Sequence, residues 1–171
     1  MIKAMQVALM GLFLCVIMDI GAFAGEYESS GITLLSEEEA ALLRLDDNAK
    51  VISATVRGPG PRIHVESPPL RQDADGQEIA ETHANAEAML TTMFAEKHKV
   101  DMGTFEMEIR NGNHIVSLTD RLRPSITENR LDARHLYIPP GRFEIAIRIE
   151  DKQGRLTEKS YLWVVRKSDG L

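Results

Sequence analysis

The chain has 171 residues, with 20 Lys and Arg against 26 Asp and Glu, for a net charge of −6. Hydrophobic residues make up 43% and charged residues 27%, the balance of a folded globular protein rather than a disordered one. The acidic excess and an aromatic content of 5% argue against nucleic-acid binding, which needs clustered cations and stacking rings.

In chain order the first element is an address. Met1 to Ala24 has the layout of a secretory signal: Lys3 ahead of the apolar run Val7 to Met18, then Ala22-Phe23-Ala24. Small residues stand there at the two positions that a signal peptidase reads. A membrane helix needs about 20 apolar residues, and Asp19 stops this run short. Leu14 is not the small residue expected before a lipidated Cys, so Cys15 is read as part of the apolar run. Cleavage after Ala24 predicts a periplasmic or secreted protein with no membrane span. The single Cys leaves with the signal, so the mature chain is expected to have no disulfide, no thiol nucleophile and no Cys metal ligand.

Gly25 to Gly31 is a polar tether. Ser36-Glu37-Glu38-Glu39 has the form of a capping box, with three acids where the helix dipole favours them. Leu42, Leu43 and Leu45 are expected on the apolar side of the short helix that follows, which Asp46-Asp47-Asn48 ends. Val51 to Val56 is β-branched and expected to be extended, and Gly58-Pro59-Gly60-Pro61 then breaks regular structure.

From there the chain reads as short strands. Ile63 and Val65 alternate with polar neighbours up to Ser67-Pro68-Pro69. Phe105, Met107 and Ile109 alternate with charged residues before an Asn111-Gly112-Asn113 turn. Phe143, Ile145, Ile147 and Ile149 form the clearest period-2 segment, facing away from Glu144, Arg148 and Glu150. Asp151 to Arg155 turns it into a last strand with Tyr161, Trp163 and Val165 on one side. Residues 78–96 are ambiguous: Ile79, Ala86, Met89, Leu90, Met93 and Phe94 fall at helical spacing, while Leu90, Thr92 and Phe94 also alternate. These signals divide the chain into a signal (1–24), a tether with helix and strand (25–57), a sandwich domain (58–167) and a tail (168–171).

Several pieces occur together. They are Gly58-Pro59-Gly60-Pro61-Arg62-Ile63 leading to Ser67-Pro68, Phe94 and Glu96 ahead of Val100-Asp101-Met102, and Ser117-Leu118-Thr119-Asp120-Arg121-Leu122. Pro139-Pro140-Gly141-Arg142-Phe143 and the Asp151 to Arg155 turn complete the set. With these motifs, residues 58–166 resemble small secreted bacterial proteins of unassigned function with an immunoglobulin-like β-sandwich. The resemblance implies an extended segment from Leu90 to Glu96, so strand is preferred to helix there. It implies no catalytic residue. The expected fold is all-β: an immunoglobulin-like antiparallel β-sandwich with a short N-terminal helix.

The chemistry is sparse. His64, His83, His98, His114 and His135 include no pair at metal-ligand spacing. No nucleophile elbow is present. Ser117-Leu118-Thr119-Asp120 fits a turn whose side chains bond nearby amides. Asp73-Ala74-Asp75-Gly76 lacks the full calcium-loop pattern and fits a polar loop. No catalytic residue, metal site or cofactor is therefore expected. Arg121, Arg123, Arg130, Arg134 and Arg142 form the one basic concentration, with Tyr137 among them, and this segment is the candidate binding surface. An envelope protein or an anionic glycan would suit it, against a plainer reading in which Glu128, Asp132 and Glu144 neutralise it. The expected function is a non-catalytic interaction or structural module of the bacterial envelope. The alternative is a carbohydrate or small-ligand binder using Tyr137, Trp163 or the Arg121–Arg142 segment.

Overall fold

The computed structural model describes residues 31–51, 60–84, 88–94 and 100–167. The signal at 1–24, most of the tether, the strand expected at 51–56 beyond its first residue, Gly58-Pro59, His98 and the tail lie outside the described residues.

Period-2 patterning produces most of the architecture. The strands are β1 (Ile32–Thr33), β2 (Ile63–Ser67), β3 (Arg71–Gln72), β4 (Glu78–His83), β5 (Ala88–Phe94), β6 (Val100–Asn111), β7 (His114–Ser117), β8 (Arg130–Tyr137), β9 (Gly141–Asp151) and β10 (Leu156–Arg166). A helix, α1 (Glu37–Leu43), follows β1, and the short α2 (Thr119–Leu122) runs into a 3-10 turn at Arg123–Ser125. Among the described residues the strands form a four-stranded sheet, β1-β8-β5-β2, and a six-stranded sheet, β3-β4-β10-β9-β6-β7. Pairing is antiparallel except where β1 lies parallel to β8 and β4 parallel to β10. The two sheets face each other across one core as an all-β sandwich.

Phe143, Ile145, Ile147 and Ile149 are fully buried between the sheets, as their alternation predicts. Phe105, Met107 and Ile109 of β6 join them, and Phe105 meets Phe94 of the opposite sheet edge-on at 6.0 Å. Such aromatic contacts add to the area they bury. Trp163 is wholly buried, and its indole N–H donates to Thr82 Oγ1 at 2.9 Å. Leu34, Leu35, Ala40 and Leu43 belong to the same core, so the residues around α1 pack as part of the sandwich.

The helical reading of 78–96 fails wherever the segment is described, since β4 and β5 are both strands. Ala80 is opposite Trp163 in β10, and sheet pairing outweighs the helix preference of Ala and Glu. The same five-residue turn is used twice, into β4 and into β10. In one, Asp73 Oδ1 accepts from the amides of Asp75 and Gln77; in the other, Asp151 Oδ1 accepts from those of Gln153 and Arg155. The fourth residue is Gly76 (φ +80°) in the first and Gly154 (φ +74°) in the second, a conformation that favours glycine. This assigns Asp73-Ala74-Asp75-Gly76 to a hairpin turn.

One feature of β8 breaks its alternation. Leu131 and Ala133 point into the core, and so do Leu136 and Ile138, so the phase shifts by one residue at Arg134-His135. The β5–β8 register shifts at the same place, and His135 has φ +53°. This is a β-bulge. Gly31 lies against it: a Cβ there would sit 2.5 Å from the His135 carbonyl oxygen, so only glycine lets β1 approach β8.

Candidate interaction surface

Ser36 caps α1 as its sequence predicts. Its hydroxyl accepts from the Glu39 amide at 3.2 Å, and Glu39 Oε2 accepts from the Ser36 amide at 2.9 Å. Sequence reasoning missed what this box is tied to. Arg121 of α2 donates to both carboxylate oxygens of Glu39, at 2.6 and 2.9 Å, and also to the Leu34 carbonyl. The Arg121 and Ser36 hydrogen bonds hold the Glu39 carboxyl below its usual value. At the other end of α1, Asn111 Nδ2 donates to the carbonyls of Leu42 and Arg44 at 3.3 and 3.1 Å. Those groups have no partner within the helix. The helix is thus fastened at both ends across the edge of the sandwich.

Which side of α1 faces the core corrects an expectation. Ala40 and Leu43, three residues apart, are buried. Leu45 is half-buried, and Leu42 points the other way, 59% exposed. Leu42, Ile115 (56%) and Tyr137 (40%) are the exposed large hydrophobic side chains among the described residues. Tyr137 stands at the start of α1, where its hydroxyl donates to Glu37 Oε1 at 3.1 Å. That bond to a carboxylate raises the Tyr137 pKa. About 8 Å of helix rise and about 140° of rotation separate Glu37 from Leu42, so Tyr137 and Leu42 stand at opposite ends and on different sides of the exposed helix surface that carries Glu37, Glu38 and Ala41.

The arginines expected to share a face are dispersed, and most are neutralised. Arg121 holds α1. Arg123 pairs with Asp120 at 3.1 Å, Arg130 with Glu66 at 3.2 Å and Arg134 with Asp132 at 3.2 Å. Arg142 belongs to the other sheet, in β9, where its carbonyl accepts from the Leu45 amide at 2.9 Å. The plainer reading was right about Asp132; Asp120 is a further local partner, three residues before Arg123, while Glu66 and Glu39 come from distant parts of the chain. Ser117 to Asp120 keeps one local bond of the expected kind, the Thr119 amide donating to Ser117 Oγ at 3.4 Å, but the Thr119 hydroxyl accepts from the distant Met107 amide at 3.0 Å, anchoring the start of α2 on β6.

The outer face of the six-stranded sheet carries an ionic lattice. Arg110 donates to Glu108 at 2.8 Å and to Glu158 at 2.9 Å, while Arg148 bonds Glu106 at 3.2 Å and pairs with Glu158 at 3.4 Å. Burial raises the pKa of Glu144 beside it, only partly countered by Arg110. Among the described residues no group of three or more His, Asp or Glu side chains is placed to hold a metal ion. Nor is any described helix long and apolar enough to cross a membrane.

No protein-family model matches the chain, and no curated protein matches it in sequence. Among solved structures, it is similar to CopC from Methylosinus trichosporium OB3b, at 16% identity and a TM-score of 0.38, over 63% of this chain and 99% of that one. It is also similar to murine CRIg, at 6% identity and a TM-score of 0.37, over 63% of this chain and 99% of that one.

Proposed function

We propose that this chain is an exported, non-catalytic interaction module of the bacterial envelope, released from residues 1–24 by signal cleavage. The observation that carries the reading is Leu42. A large apolar side chain stands 59% exposed on a helix that is fastened at both ends, with Tyr137 bonded to Glu37 at its N-terminal end. A rigid helix presenting an apolar anchor and an aromatic with a wet hydroxyl suits a protein partner. Glu37 and Glu38 on that helix disfavour an anionic glycan. Arg121, Arg123, Arg130 and Arg134, which that glycan would need, are engaged by carboxylates of the chain itself. The carbohydrate alternative loses Trp163, which is buried in the core.

The test has two parts. Mass spectrometry of the exported protein should find an N-terminus at Gly25, and an intact Met1 in the cytoplasm would contradict export. Immobilised protein should then retain a discrete envelope protein that a Leu42→Glu, Tyr137→Ala variant of equal melting temperature does not. Equal retention by that variant would remove the α1 face from the reading. Calcium, zinc, sugars and anionic glycans should leave the melting temperature unchanged, since a ligand of the native state raises it by mass action.

A further inference from the structure

The outer face of the six-stranded sheet holds an apolar side chain that the sandwich core does not account for. Tyr161, Trp163 and Val165 of β10 point into the core, so Leu162 points the other way. Yet Leu162 is fully buried, and it is not part of the core between the sheets. Its neighbours across the sheet are Glu144 of β9 and Ile79 of β4. Both are half-buried, and burial raises the Glu144 carboxyl. A leucine that faces away from the core and is still out of water needs a cover.

Residues 44–51, the stretch that leaves α1, have the form of one. Leu45 and Ala49 are half-buried and Val51 is buried, while Arg44, Asp46, Asp47, Asn48 and Lys50 are exposed, so the stretch has one apolar side turned from water. Neither Leu45 nor Val51 belongs to the core between the sheets. Its two ends are fixed on opposite sides of β10. At the first, the Leu45 amide donates to the Arg142 carbonyl at 2.9 Å, and a Cβ on Gly141 would come within 2.9 Å of Arg44 Nε. At the second, Lys50 Nζ pairs at 2.8 Å with Asp75 Oδ2 in the β3–β4 turn. The strands run β3-β4-β10-β9, with Arg142 opposite Val164 and Leu162 opposite Ile79. A short path from Arg142 to Asp75 therefore crosses Leu162 and Ile79 on the outer face, since the inner face is filled by the core.

We propose that residues 44–51 are a strap, closed over Leu162 on the outer face of the six-stranded sheet and clasped by the exposed ion pair Lys50–Asp75, which opens without unfolding the sandwich. The two fastenings differ in strength. The first is a backbone hydrogen bond next to the Asn111 contacts that hold the end of α1. The second joins side chains that are 72% and 62% exposed, and such a pair contributes little and is screened by salt. Opening therefore starts at Lys50 and uncovers Leu162 while α1 stays in place. The strap lies beyond the α1 face, and it stands whether or not an envelope protein binds there.

Thiol labelling with a neutral maleimide tests it. The one Cys of the sequence is Cys15, within the signal, so Leu162→Cys places a single thiol in the exported chain. That thiol should react more slowly than glutathione, because it is covered, and faster than the thiol of Ala80→Cys, a core site that only global unfolding exposes. Adding Lys50→Glu should speed labelling at 162 by about two- to fivefold, the range of an exposed ion pair, and leave labelling at 80 unchanged. Asp75→Lys on top of Lys50→Glu should restore the slow rate. Amide exchange at Leu45 in protein carrying only Lys50→Glu gives a reading that does not depend on replacing Leu162, and it should quicken as well. A thiol at 162 that reacts as fast as glutathione would show that nothing covers it and would overturn the proposal. So would labelling at 162 no faster than at 80, or rates at 162 and Leu45 that Lys50→Glu leaves unchanged.

Discussion

Ile147 and Arg148 are neighbours in β9 with opposite surroundings. Ile147 is fully buried between the sheets, whereas the Arg148 side chain is partly exposed between Glu106 and Glu158. Truncating Ile147 to Ala should cost about 2–5 kcal/mol, the usual range for emptying a packed core site. Arg148→Ala should cost under about 1 kcal/mol, because exposed ion pairs contribute little. Urea melts of the two variants check this, and equal costs would mean that the register of β9 is wrong. Asp151 gives a pH dependence. Its burial alone would raise the carboxyl, but the Arg155 amide and guanidinium and the Gln153 amide outweigh that and hold it below its usual value. A carboxyl depressed in the folded state stabilises above the unfolded pKa of about 3.9 and loses that contribution as pH falls through the folded value. Asp151→Asn should therefore be less stable than the parent at pH 7. The gap should narrow in melts taken at successively lower pH below about 4.

At the scale of elements, α1 is held by contacts that lie far apart in the chain. Arg121 reaches Glu39 across 82 positions, and Asn111 reaches Leu42 across 69. The capping box was legible because Ser36 and Glu39 are three residues apart. Its extension to Arg121 was not, since no local pattern links those residues. The same limit explains the misplaced Leu42: adjacent leucines suggest one apolar side, but a helix this short buries only the stripe that Ala40 and Leu43 share. The bulge in β8 was equally hidden, because it depends on β1 docking from a distant stretch of chain. That dependence is testable. Gly31→Ala places a methyl group against the His135 carbonyl, whose oxygen lies 2.5 Å from the position of the added carbon. β1 should loosen, with faster amide exchange at Leu34, whose N–H donates to the Tyr137 carbonyl at 2.9 Å. An unchanged exchange rate would show that β1 does not need the close approach.

For the whole molecule, the sandwich was legible wherever alternation and turn chemistry agreed. Phe105 to Ile109, Phe143 to Ile149 and the Asp151 to Arg155 turn are such places, where local preference and global fold point the same way. Residues 78–96 were not, because Ala and Glu favour a helix there and only pairing with β10, β2 and β8 makes them strands. The candidate site was less legible still. Arginines between 121 and 142 form a basic segment in the sequence, but the fold distributes them over α2, the 3-10 turn, β8 and β9 and brings Glu39 and Glu66 to Arg121 and Arg130 from elsewhere. Of that set Tyr137 remains in the proposed surface, together with Leu42, whose exposure follows only from the folded helix. Site-specific photo-cross-linking in intact cells tests the surface most directly, with the probe at Leu42, at Tyr137 and, as a control, at Lys152 in the β9–β10 turn. The proposed surface should capture the same envelope protein from Leu42 and from Tyr137, and Lys152 should capture none. Capture from Lys152 alone, or from none of the three in correctly exported and folded protein, would contradict it.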